Sequence, residues 1–343
     1  MVIVMGLLAA ALASGPAPAT PVTAQAQVLP TVYEAGHFYA MPETVKGQRL
    51  RLVVDTGGGG GLGMYWITAG AARRLHLKTH ACKLGDDSIT VADLPEYKPG
   101  QGLPPPASSP CGKVAMVQDV PKDYGWNAHD EGQFSGSYLY AQGVWTFDYP
   151  GERLTLQSHS WRPDSAAHAI RLGFQRDSHG RAPHGYARLT IRVDGQPLDM
   201  LLDTGATAHP TAEGEKASGT PTVNGLGTTS YVVASVFERW HKTHPDWRVV
   251  ADGDAASPKH PMPLIEVPRV DIAGWSVGPA WFTERPDPAF HDMMSSMMDK
   301  QVEGAVGGNV FEHFVMTIDY PHEAAYFRCV TGCKTVAIPP PAP

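Results

Sequence analysis

RLTIRVDGQPLDMLLDTG, residues 188–205, is the stretch on which the fold turns. Residues 188–193 alternate apolar and polar, Asp194-Gly195 is a turn pair, and residues 197–202 run apolar into Asp203. That pattern predicts a β-hairpin whose second strand delivers Asp203-Thr204-Gly205 at its end. Earlier in the chain, GQRLRLVVDTG (47–57) lies without a gap over GQPLDMLLDTG (195–205). There a strand over residues 50–54 follows a turn at Lys46-Gly47, and its Val53 and Val54 suit a buried strand. Farther on, SYLYAQGVWTFDYP (137–150) lies over GNVFEHFVMTIDYP (308–321), again placing Asp-Tyr-Pro on Asp-Tyr-Pro. Two matches in the same order, neither compositionally biased, mark a duplicated unit.

The rest of the chain agrees. Its 343 residues exceed the ~250–300 at which one hydrophobic core stops growing, so two halves are expected. Hydrophobic residues make up 43% and charged residues 18%, which excludes wholesale disorder. With 36 Gly and 31 Pro, many turns between short strands fit better than a helical bundle. Helical patterning is confined to residues 67–77 and 230–243, and residues 163–183 read as the connection between halves. A net charge of −7 without Lys/Arg runs gives no nucleic-acid footprint.

At the start, MVIVMGLLAAALASG carries a short apolar stretch, followed by small residues up to Ala24-Gln25-Ala26. Residues 1–26 read as a secretory signal, and the stretch is shorter than the ~20 residues a membrane-spanning helix needs. A disordered Ala/Pro-rich leader is the alternative. A periplasmic or secreted protein without stable membrane insertion is expected, made of halves over residues 27–165 and 166–343. Cys82, Cys111, Cys329 and Cys333 fall into an early and a late pair, which suggests one disulfide in each half. Zinc is the competing use, but zinc ribbons want two Cys-x2-Cys knuckles and the close pair here is Cys-x3-Cys.

Two Asp-Thr-Gly turns at equivalent places in a repeat can bring Asp55 and Asp203 together at a pseudo-twofold axis, close enough to share one proton. Thr56 and Thr204 are short enough to tie their hydroxyls to backbone, and Gly57 and Gly205 let main chain approach a carboxylate. At this point the chain resembles the aspartic proteases of the retropepsin-like and pepsin-like families. The resemblance rests on VVDTGGG (53–59) with Phe134-Ser135-Gly136, and on LLDTGAT (201–207) with Ala305-Val306-Gly307. It implies an all-β, two-lobed acid-protease-like fold of two pseudo-symmetric β-barrel lobes with short helices. It also implies a catalytic pair Asp55 and Asp203, a peptide or protein substrate in a cleft touching Gly58 and Ala206, and no metal or organic cofactor. Gly58–Gly61 stand where pepsin-like enzymes place a Ser that bonds the carboxylate, and Ser135 replaces a hydrophobe. The substrate-covering flap is not legible: residues 80–132 show no hairpin, and Tyr97, Tyr124 and Trp126 are the aromatic candidates. A duplicated fold that has lost the chemistry, acting as a binding or scaffold protein, is the other reading. Oligomeric state is not legible.

Smaller features point elsewhere. His76 with His80 and His241 with His244 lack a His-Glu-x-x-His context and read as surface histidines. Ser135 in GQFSG misses the Gly-x-Ser-x-Gly elbow by one place. Met293, Met294, Met297 and Met298 suit either core packing or a flexible apolar subsite.

Overall fold

The computed structural model describes residues 25–59, 61–119, 129–255 and 261–337. Tyr124, Trp126 and nearly all of the expected signal lie outside them. In the first half the strands are β1 (Gln27–Val28), β2 (Thr31–Glu34), β3 (His37–Ala40), β4 (Leu52–Val54), β5 (Trp66–Thr68) and β6 (Thr79–Leu84). They continue with β7 (Asp87–Asp93), β8 (Val114–Gln118), β9 (Gly132–Phe134), β10 (Val144–Asp148) and β11 (Arg153–Leu156). After β12 (His168–Arg171), the second half has β13 (Arg188–Val193), β14 (Gln196–Leu202), β15 (Thr207–Ala208), β16 (Gly227–Thr228), β17 (Ser230–Val233), β18 (Val249–Asp254) and β19 (Met262–Val267). Its remaining strands are β20 (Val270–Ile272), β21 (Trp275–Val277), β22 (Ala280–Arg285), β23 (Gly304–Val306), β24 (Phe314–Asp319), β25 (Ala324–Cys329) and β26 (Lys334–Thr335). The helices are short: α1 (Ala69–Arg74), α2 (Gly136–Gln142), α3 (Ala212–Ser218), α4 (Ala234–Thr243) and α5 (Gly308–Phe311).

The duplication is visible in the sheets. Seven strands of the first half run β3-β4-β9-β5-β8-β7-β6, and seven of the second run β13-β14-β23-β17-β22-β19-β18. Every corresponding pair has the same sense, parallel for β4/β9 and β14/β23 as for β5/β8 and β17/β22. β15 pairs with β16 in a separate two-stranded sheet, and a six-stranded sheet, β1-β11-β10-β24-β25-β12, takes three strands from each side of the repeat and reads the same from either edge. At its centre Thr146 faces Thr317, the residue equivalent to it, and their hydroxyls meet at 2.8 Å. The pseudo-twofold axis passes through that pair. Trp145, Phe147, Met316 and Ile318 around it are fully buried, each stabilising the fold by roughly 1.5–3 kcal/mol.

Local expectations were met where pattern and turn chemistry agree. β13 and β14 pair from Arg188↔Leu201 to Val193↔Gln196, with Asp194 and Gly195 both at positive φ in the turn. Two helix expectations ran too long. Ile67 belongs to β5 and residues 230–233 to β17; α1 and α4 begin only afterwards. A buried strand that abuts an amphipathic helix is one continuous apolar run, and periodicity alone does not divide it.

The connection at 163–183 contains β12, an edge of the central sheet. The stretch beyond His80 does hold a hairpin, β6 with β7, although most of its side chains are exposed and its alternation is confined to residues 88–91. The barrels are corrected too. Closure requires the first and last strands to pair, whereas the larger sheets are open, with β2 and β6 at the edges of one and β18 and β26 at those of the other.

Both disulfides form as paired in the sequence, Cys82–Cys111 and Cys329–Cys333. Among the described residues no helix is long and apolar enough to cross a membrane.

Candidate active site

Each Asp-Thr-Gly turn leaves the end of a central strand. β4 is paired with β9 and β14 with β23, so Val54 and Leu202, both fully buried, fix where Asp55 and Asp203 begin. The turns are bound to each other crosswise. Thr56 Oγ1 donates to Leu202 O at 2.7 Å and Thr204 Oγ1 donates to Val54 O at 2.8 Å. Each hydroxyl also accepts the other threonine's N–H, at 3.0 Å and 3.2 Å. Both threonines are buried, so four hydrogen bonds across the axis are exchanged away from water, where leaving one unmade costs ~1–3 kcal/mol.

The glycines are required by close approach. A Cβ on Gly57 would stand 2.5 Å from Asp203 Cγ, and one on Gly205 would stand 2.3 Å from Asp55 Cγ. Each half's glycine therefore makes room for the other half's carboxyl, which brings the two carboxyls side by side across the axis. Within its own turn each accepts an N–H: Gly57 N to Asp55 Oδ1 at 2.7 Å, Gly205 N to Asp203 Oδ1 at 2.9 Å. Burial lifts Asp55 above the ordinary carboxylate range, against the pull of the Gly57 and Gly58 N–H groups and Asp203. Asp203 is lifted well above that range, first by burial and then by the charge of Asp55. Two carboxyls in contact cannot both ionise freely, so the pair holds a proton.

The surroundings of the two carboxyls differ. Gln133 on β9 donates from Nε2 to Asp55 Oδ2, and Trp66 Nε1 donates to Gln133 Oε1 at 3.1 Å. At the equivalent places of the second half stand Ala305 and Tyr231. The Tyr231 hydroxyl instead closes on Thr207, donating to its carbonyl and accepting its N–H, both at 2.7 Å. His37 is buried behind the second turn, its Nε2 3.2 Å from both Ala206 O and Thr207 Oγ1, and burial holds it down at about 4. The Asp-Tyr-Pro repeats contribute Tyr149 and Tyr320, placed crosswise with Tyr149 near Asp203 and Tyr320 near Asp55, and burial pushes both hydroxyls up. Neither hydroxyl has a hydrogen-bond partner among the described residues.

Of the residues singled out in the sequence, Asp55, Thr56, Gly57, Gly58, Asp203, Thr204 and Gly205 come together. Ala206 is 1% exposed, so its methyl is packed inward and is no wall of an open cleft. Tyr97 meets the Tyr65 hydroxyl at 3.4 Å and not the carboxyl pair. Ser135 caps α2 and donates to Met64 O. Of the methionines, Met298 is buried while Met293 is 60% exposed.

One alignment is corrected. Val54 pairs with Phe134 as Leu202 pairs with Val306, so Gln133-Phe134-Ser135 corresponds to Ala305-Val306-Gly307. Extending the gap-free match back from Asp-Tyr-Pro misplaces this segment by one residue, because α5 and its cap are shorter than α2.

No protein-family model matches the chain, and no curated protein matches it. Among solved structures, basic 7S globulin from soybean aligns over 91% of this chain and 96% of its own, at 9% identity and a TM-score of 0.44. An aspartic proteinase from Irpex lacteus aligns over 90% and 98%, at 12% identity and a TM-score of 0.43. Both likenesses are too distant to bear on what the chain does.

Proposed function

We propose that the protein is an exported aspartic endopeptidase that hydrolyses peptide bonds with a water molecule activated between Asp55 and Asp203. The observation that carries this reading is the crosswise joining of two buried Asp-Thr-Gly turns, which brings the two carboxyls side by side, with Asp203 lifted well above the ordinary carboxylate range by burial and by Asp55. In the reaction the ionised carboxyl takes a proton from water, whose oxygen attacks the peptide carbonyl carbon, while the protonated carboxyl donates to the carbonyl oxygen. Breakdown of the tetrahedral adduct breaks the C–N bond as a proton passes to the departing nitrogen. The disulfides support work outside the reducing cytoplasm. The glycine run after Gly57 supplies no hydroxyl to Asp55, and the Gln133 amide that donates to it instead supports the catalytic reading over a binding or scaffold protein.

The test is digestion of a mixed peptide library, with cut sites read by mass spectrometry. Cleavage that a statine-type peptide analogue blocks and a chelator leaves unchanged is expected. A folded protein that cuts nothing across acid to neutral pH contradicts the reading.

A further inference from the structure

We propose that Gln133, itself fixed by Trp66, is a positioning residue that holds the outer oxygen of Asp55 and favours its ionised form, so that the proton of the pair resides on Asp203. The kinetic part of this inference rests on the peptidase reading; the protonation part does not.

Four observations support it. Gln133 is 5% exposed and sits mid-sheet, with Val53 on one side and Trp66 on the other, so its backbone is fixed. Its amide orientation is determined by chemistry, because the indole N–H is a donor only and must face Oε1, which turns Nε2 toward Asp55. An NH2 group donates and never accepts, so it stabilises a carboxylate oxygen and has nothing to offer a carboxylic O–H.

The glycine run is shaped to this amide. A Cβ on Gly58 would stand 2.5 Å from Asp55 Oδ2 and 2.9 Å from Gln133 Nε2, and one on Gly59 would stand 3.0 Å from Gln133 Cδ. The space in which a side-chain hydroxyl after the turn would reach Asp55 is thus taken by an amide arriving from β9. Among the described residues the second half has no counterpart, since the Ala305 side chain carries no donor and Tyr231 is committed to Thr207. Among the described residues Asp55 therefore receives a side-chain amide donor that Asp203 lacks, and the two carboxyls are inequivalent.

The test uses the full chain with 13C-labelled aspartate. Carboxyl NMR titrations and pH profiles of kcat and KM are compared for wild type, Gln133→Met, which keeps the length without a donor, and Gln133→Glu. Gln133→Met is expected to raise the lower apparent pKa of the pair by about one unit and to lower kcat ~10- to 100-fold with KM little changed. Gln133→Glu can donate only when protonated, so it is expected to keep activity at acid pH and lose it as the glutamate ionises, moving the basic limb downward. Trp66→Phe, with the Gln amide freed, is expected to fall between wild type and Gln133→Met. Carboxyl titrations in both Gln133 variants that overlay the wild type would overturn the proposal, even if peptides are still cut. A raised lower pKa in a protein that cuts no peptide would uphold it while removing the peptidase reading. If Gln133→Met fails to fold, the near-isosteric Gln133→Glu decides by its titration.

Discussion

Asp203 and His37 flank the second turn and titrate in opposite senses. Asp203 is raised, so its contribution to stability is full below the unfolded value near ~3.9 and is lost as pH rises toward its folded value. His37 is lowered to about 4 by burial, with the Arg51 charge acting in the same direction. Its contribution is full above the unfolded value near ~6.5 and is lost as pH falls to about 4. In the wild type these slopes oppose each other between those limits. Relative to wild type, His37→Gln should gain stability as pH is lowered from ~6.5 to ~4, by up to about 1.4 kcal/mol per pH unit. Asp203→Asn should gain in the other direction, as pH rises from ~4. Urea unfolding at stepped pH checks both, and variant curves parallel to wild type would contradict the assignments.

At the scale of elements, the two disulfides differ in what they close. Cys82–Cys111 spans 29 residues and ties the exposed hairpin β6–β7 to the start of β8, whereas Cys329–Cys333 spans 4. Loop-closure entropy gives about 3.6 kcal/mol for the first and about 1.9 kcal/mol for the second. The double serine variant of the first pair should therefore lose more stability in urea than that of the second, and the reverse order would be a contradiction. Elements were legible where a local rule sufficed. Asp194-Gly195 between alternating strands announced β13–β14, and Asp-Thr-Gly after an apolar strand announced both turns. β6–β7 stayed hidden because most side chains of THACKL and DSITVAD are exposed and the alternation is brief, confined to residues 88–91. Gln133 stayed hidden because its part depends on register across β4, β9 and β5, which only the assembled sheet fixes.

For the molecule as a whole, the central sheet is the consequence of duplication. β10 pairs with β24 about Thr146 and Thr317, so a lone first half would expose β10, an edge whose pairing pattern is self-complementary. Residues 27–165 made alone should form a twofold dimer through β10, seen by sedimentation; a stable monomer with a cooperative melt would contradict the symmetry argument. The duplicated strands and Asp-Tyr-Pro segments made this architecture readable, whereas the open sheets were not, because edge pairing depends on shear and twist that a sequence pattern does not carry.

The central claim is that Asp55 and Asp203 act as one unit across the axis. Its most direct test is the cleavage rate of Asp55→Asn, Asp203→Asn and the double variant on a peptide that the wild type cuts, with folding checked by circular dichroism. Each single variant should lose on the order of 10^3-fold or more, and the double should be no worse than either, as for groups that work together. Wild-type-like cleavage by either single variant, or losses that multiply in the double, would contradict it.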